Sequence, residues 1–234
     1  GAGIARSRSA PTRDGRAHAR LTPRRAVAGL AGLALIALAV LIARPASTDQ
    51  IVGPDGRPRA GRIAELTRTE VGGRDLALMI RGHDRRNPVL LFLAGGPGGS
   101  ELGAMRRLLQ ALERDFVVVA WDQRGTGKSY GALDPTSTLT LESAVADTIE
   151  VTDHLRDRFD RERIYLLGQS WGSTLGVLAV QRAPERYQAF IGTGQMVSQR
   201  ETDRIFYRDT LAWARATGED DLVSQLTGIG PPPY

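Results

Sequence analysis

The apolar positions of this 234-residue chain follow three patterns, and each predicts a different element. One is an uninterrupted run, AVAGLAGLALIALAVLIA over 26–43, closed by Arg44-Pro45. Eighteen residues at ~1.5 Å each reach roughly 27 Å as a helix, close to the thickness of a bilayer core, so the run predicts one transmembrane helix. A cleaved export signal is the nearest alternative, although such apolar regions usually span ~7–15 residues and Leu41 to Ala46 offers no clean cleavage site. A second pattern is the short apolar block. PVLLFLA (88–94) and FVVVAW (116–121) read as buried strands, and RIYLLG (163–168) and YQAFIGTG (187–194) as two more. Strand-like runs at 62–71 and 74–82 flank Gly72-Gly73 and predict a hairpin. The third pattern has helical spacing. It includes Leu102, Met105, Leu108, Leu109 and Leu112 within 100–113, the stretches 141–158 and 172–183, and Ile205, Phe206, Leu211 and Trp213 within 199–217.

Strands alternating with helices across short loops imply an α/β fold. The expected sheet is mostly parallel, covered on both faces, with an antiparallel hairpin at its start. The segments divide as a basic tail (1–25), an apolar anchor or signal segment (26–43), a Pro- and Gly-rich linker (44–61), a core (62–198) and a remainder (199–234) that opens with the helix at 199–217 and ends in a loop.

Composition narrows the classes. With 41% hydrophobic and 24% charged residues the chain is neither collagen-like nor wholly disordered. Having no cysteine, it can hold no disulfide, Cys nucleophile or thiolate metal site. The net charge of +5 would suggest a nucleic-acid partner, but +6 of it sits in residues 1–25 and −1 on all the rest. No nucleic-acid binding is therefore expected. Arginines flanking the apolar run on its N-terminal side predict that this side stays in the cytoplasm and the remainder is translocated. Of the 31 basic residues 30 are Arg, which together with abundant Ala and Gly points to a GC-rich bacterial genome. The expected location is a bacterial cell membrane with the globular part outside the cytoplasm, or secretion if the segment is cleaved.

The chemistry gathers in three stretches. Gly168-Gln169-Ser170-Trp171-Gly172 lies between a strand and a helix, where a tight turn lifts a nucleophile clear of the sheet and the glycines avoid Cβ clashes. The following helix aims its positive N-terminal end at the same place. A simple turn with Ser170 as helix N-cap is the alternative, and Ser173 reads as an ordinary helix residue. Gly95-Gly96-Pro97-Gly98-Gly99 follows a buried strand and exposes backbone N–H groups, as an oxyanion loop requires. Trp121-Asp122-Gln123-Arg124-Gly125-Thr126-Gly127-Lys128-Ser129 fits no phosphate loop, because Asp122 stands where Gly is needed, and no dinucleotide loop, because Tyr130 does. It reads as an Asp–Arg turn bracing the site. No metal or cofactor is expected.

Taken together, FLAGGPGG (92–99), WDQRGTGKS (121–129) and GQSWGSTLG (168–176) resemble the α/β-hydrolases of the proline iminopeptidase type, serine peptidase family S33, over roughly 62–195. The resemblance implies Ser170 as nucleophile and the backbone N–H groups of Gly96 and Trp171 as oxyanion donors. It also implies a helical cap beginning at 199–217, and a small peptide or ester as substrate. One departure is Ala94, where the family usually places His before the glycines.

In this fold the triad runs Ser, then Asp or Glu, then His. His18, His83 and His154 all precede Ser170, and none is placed to act as base. The expectation is a serine hydrolase, aminopeptidase in type, truncated at its C-terminus and inactive as this fragment. The alternatives are an esterase or lipase-like hydrolase of the same fold, or a non-catalytic membrane-tethered binding protein.

Overall fold

A computed structural model describes residues 23–43, 46–133 and 135–232, so most of the basic tail, His18 included, lies outside the described residues. The chain separates into two compact units, Gly1–Ala46 and Ser47–Tyr234.

In the first unit, helix α1 (Pro23–Ala43) covers the long apolar run, with Pro at its first position and Ala and Leu, both strong helix formers, through its length. Its described side chains are mostly exposed, Ile42 at 75%. The expectation of a transmembrane helix is corrected here. Among the described residues no helix is long and apolar enough to cross a membrane.

The second unit is the α/β core. β1 (Ile63–Val71) and β2 (Arg74–Gly82) form the expected hairpin, pairing Val71 with Arg74 across two glycines. Gly72 and Gly73 both have positive φ (58° and 67°), as a two-residue turn matching strand twist requires. β3 (Val89–Leu93), β4 (Val117–Trp121), β5 (Ile164–Gln169) and β6 (Tyr187–Thr193) run parallel, and the sheet order is β1-β2-β4-β3-β5-β6. Every residue of β3 and β4 is buried, which explains why their sequences are apolar without alternation. β6 lies at the edge and is largely exposed.

Helix α2 (Leu102–Leu108) covers one face, packing Leu102 and Met105 with Met79, Phe92 and Ala120. Helices α3 (Leu141–Phe159) and α4 (Trp171–Arg182) cover the other, bringing Val151, Leu155, Leu175 and Ala179 onto Leu91, Val119 and Leu166. Helices α5 (Gln199–Thr217) and α6 (Asp220–Ile229) pair with each other, and the Tyr207 hydroxyl donates to the Leu226 carbonyl at 3.1 Å.

The helix expected over 100–113 stops at Leu108 and gives way to tighter 3₁₀ turns at Gln110–Arg114. Glu113 is buried there and accepts from Arg81 Nε at 2.8 Å. Arg81 also donates to Thr48 Oγ1 (2.7 Å) and the Asp49 carbonyl (2.6 Å), while Arg62 donates to the Ile51 carbonyl. The Pro- and Gly-rich segment is thus tied to the core at Thr48, Asp49 and Ile51.

The chain leaves β3 for β4 on one side, then crosses to β5 on the other. A crevice for a ligand opens at such a reversal, beyond the carboxyl ends of the strands. The loops that follow Leu93, Trp121, Gln169 and Thr193 all meet at this end.

Candidate active site

Ser170 joins β5 to α4 with φ 52° and ψ −117°, a conformation that a residue with a Cβ adopts only under strain. Three hydrogen bonds hold it. Its N–H donates to the Thr193 carbonyl (2.9 Å), and its own carbonyl accepts from Ser173 N–H (2.8 Å) and Ser173 Oγ (2.6 Å). Although Ser170 stands at the N-cap position, its hydroxyl caps nothing and instead faces Met196 Sδ at 4.0 Å.

The flanking glycines explain the tightness of the turn. A Cβ on Gly168 would lie 2.4 Å from the Gly172 carbonyl oxygen, and one on Gly172 would lie 2.0 Å from that of Leu93. Real Cβ atoms never come so close, so the spacing of glycine around Ser170 is what lets α4 start directly against β3.

Trp171 is the first residue of α4, so its backbone N–H belongs to the free donors of the first turn. Gly96 lies in the loop leaving β3, at φ 126° and exposed. Its neighbour Gly95 packs so closely on Gln169 that a Cβ would meet Gln169 Oε1 at 2.7 Å. The oxyanion-type loop and the serine turn therefore abut through Gly95 and Gln169.

The third stretch braces both. Gln123 is buried; its Oε1 accepts from the Trp171 indole (3.2 Å), and its Nε2 donates to the Ala94 carbonyl (3.4 Å). One side chain so links the entrance of the glycine loop to the residue after Ser170. Asp122, fully buried, accepts from Ser100 Oγ and from Lys128 N–H, each at 2.7 Å. Arg124 makes a buried two-pronged ion pair with Asp147 on α3, at 2.7 and 3.0 Å. Burial pushes the Asp147 carboxyl above its ordinary pKa, with the Arg124 hydrogen bonds pulling the other way. The expected Asp–Arg turn is thus two separate braces. Sequence reasoning missed the parts played by Gln123 and Ser173, since both depend on contacts between distant segments.

A cavity of ≈ 300 Å³ lies beside the glycine loop, walled by Pro97, Gly98, Trp171, Leu133 and Leu141 among others.

The histidines lie elsewhere. His83 follows β2, whose C-terminal end lies at the amino ends of the parallel strands, opposite Ser170. His154 contacts Thr69 Oγ1 on β1 through Nδ1 at 3.2 Å. β1 is four strand spacings from β5, or roughly 19 Å. Among the described residues no three His, Asp or Glu side chains gather as a metal site.

A strained serine on a strand-to-helix turn, beside a glycine loop at the reversal of a mainly parallel sheet, defines a hydrolase-type α/β scaffold. The chain belongs to the alpha/beta hydrolase fold family, whose model matches residues 88–226. It is 34% identical over 177 residues to a probable aminopeptidase of Bacillus subtilis (strain 168), covering 76% of this chain and 56% of that protein. It is 32% identical over 132 residues to a probable proline iminopeptidase of Leptolyngbya boryana, covering 56% of this chain and 39% of that protein. A proline iminopeptidase-related protein from Thermus thermophilus superposes with a TM-score of 0.54 at 25% identity, covering 62% of this chain and 50% of that one. The chain spans roughly half the length of these relatives.

Proposed function

We propose that the protein is a serine hydrolase working through an acyl-enzyme, with an aminopeptidase specificity of the proline iminopeptidase type. The observation that carries this reading is the strained turn at Ser170, whose hydroxyl is left free of any capping bond. Ser170 Oγ attacks the scissile carbonyl. The backbone N–H groups of Gly96 and Trp171 hold the negative charge that develops on its oxygen, a contribution worth ~2.7–4 kcal/mol per donor in comparable sites. The leaving amine departs, and water then hydrolyses the acyl-serine. Serine is a weak nucleophile without a base. His83 and His154 are too far away, so the base and its acid partner are assigned to residues outside these 234. Peptidase specificity is supported by the names of the Bacillus and Leptolyngbya relatives. The Arg-rich tail ahead of an exposed apolar helix supports export, with the hydrolase unit acting outside the cytoplasm.

The test uses the protein at its full natural length. A fluorophosphonate should label it, Ser170→Ala should abolish the label, and prolyl-naphthylamide should be cleaved faster than p-nitrophenyl acetate. Equal labelling of both forms refutes Ser170 as nucleophile, and turnover of the ester alone refutes the aminopeptidase specificity. These 234 residues by themselves are expected to turn over neither substrate. Turnover by them would return the base to His18, His83 or His154.

A further inference from the structure

Ser173 lies one turn into α4, fully buried, and nothing in its sequence context sets it apart from an ordinary helix residue. Its hydroxyl has two partners. It donates to the Ser170 carbonyl at 2.6 Å and accepts from the Met196 backbone N–H at 3.1 Å. A buried hydroxyl bonding back within its own helix would ordinarily serve only local geometry. This one joins two segments that meet at the reactive serine: the strained residue itself and the loop that follows β6.

The Ser173 bond to the Ser170 carbonyl is the shortest of those that hold Ser170 at φ 52°. Strained backbone of this kind persists only where the surroundings over-determine it. The same oxygen fixes residue 196, whose side chain carries the sulfur 4.0 Å from Ser170 Oγ. The Ser170 carbonyl and the backbone of residue 196 are thus both tied to one atom, Ser173 Oγ.

We propose that Ser173 is a positioning residue for the nucleophile: its hydroxyl fixes the orientation of Ser170 and the place of the 194–198 loop beside it. The proposal rests on the reading of Ser170 as the attacking group. Ser173 touches no reacting atom. Its loss lowers the rate of acylation and leaves substrate affinity nearly unchanged, because misplacement by about an ångström costs up to ~100-fold in rate.

The experiment measures kcat, KM and the rate constant of fluorophosphonate labelling for the full-length protein and three variants. In Ser173→Ala, kcat and the labelling rate should both fall at least ~10-fold per folded molecule with KM within about two-fold. Ser173→Cys, which keeps the volume and a weak donor, should lie between Ala and wild type. Thr152→Val is the control. It removes another fully buried hydroxyl, one that donates to the Thr148 carbonyl (2.8 Å) and meets Tyr187 Oη (3.2 Å) far from the turn, and its kcat should match wild type. Wild-type labelling and kcat in Ser173→Ala overturn the proposal. So does an equal fall in Thr152→Val, since loss of any buried hydroxyl would then suffice. If Ser173→Ala does not fold, Ser173→Cys decides, and wild-type rates in it overturn the proposal. Labelling that survives Ser170→Ala refutes the nucleophile instead, and is read independently.

Discussion

Replacing Gly172 by alanine is the sharpest perturbation of the serine turn. The added Cβ would stand 2.0 Å from the Leu93 carbonyl oxygen, 2.6 Å from its carbon and 2.9 Å from the Ala94 carbonyl oxygen. All three are backbone atoms at the end of the central strand, so no side chain can turn aside. Restoring ordinary contact at 3.4 Å requires the start of α4 to withdraw from β3 by about 1.4 Å. Overpacking of this kind typically costs ~1–3 kcal/mol, and a rigid backbone partner puts Gly172→Ala at the upper end or beyond. The withdrawal also carries Ser170 and Trp171 away from the loop of Gly96, so labelling by a fluorophosphonate should fall by ~100-fold. The matched control is Gly103→Ala on α2. A Cβ there meets nothing within 4 Å, and stability should be unchanged or gain up to ~1 kcal/mol from helix propensity. Urea unfolding of the two variants beside wild type measures the difference. Equal midpoints for Gly172→Ala and wild type would refute the close approach of α4 to β3.

Two further outcomes follow from the same geometry. Ser170→Gly should unfold at a higher midpoint than wild type, by about 1 kcal/mol, because glycine adopts φ 52° without the strain that serine bears there; an unchanged or lower midpoint in thermal melts counts against that strain. Burial, aided by Arg158 and opposed by Asp157, holds the His154 imidazole below its ordinary pKa of 6.5, and its Nε2 has no partner among the described residues. The unfolded chain therefore takes up a proton that the folded one resists. Stability should fall as pH drops below 6.5, with a slope under the ~1.4 kcal/mol per pH unit limit because the ring is only half-buried. His154→Gln should flatten this slope between pH 6.5 and 5.5, and an identical slope in the variant would show that His154 is not its source.

Much of the fold was legible because its signals are local. The hairpin is marked by Gly72-Gly73, the buried strands by unbroken apolar blocks, and the serine turn by glycines at fixed offsets from Ser170. The rest depends on contacts across the chain. Glu113 occupies a position that helical spacing leaves unremarkable, and its burial follows from Arg81, 32 residues away. Helix α6 was not anticipated; Leu222, Leu226 and Ile229 have helical spacing, but ten residues opening on two aspartates give too short a pattern to separate from a loop. In the site, Ser170, Trp171 and the glycine loop were found by motif. Gln123 and Ser173 were not, since a side-chain hydrogen bond between motifs leaves no spacing to read. The apolar run 26–43 marked its helix, α1, while no helix among the described residues is long and apolar enough to cross a membrane.

The exposed edge at β6 governs how this polypeptide behaves in concentrated solution. Among the described residues β5 is the strand that β6 pairs with, and the β6 sequence, YQAFIGT, contains no charge and no proline. Natural edge strands are usually blunted by such residues, because free backbone donors and acceptors in an extended row form a template for any passing strand. Here the template carries Ile191 in the open. Colloidal stability of these 234 residues by themselves is therefore limited at one margin of the sheet while the interior remains well packed, and a single lysine placed outward on β6 would act as a gatekeeper there.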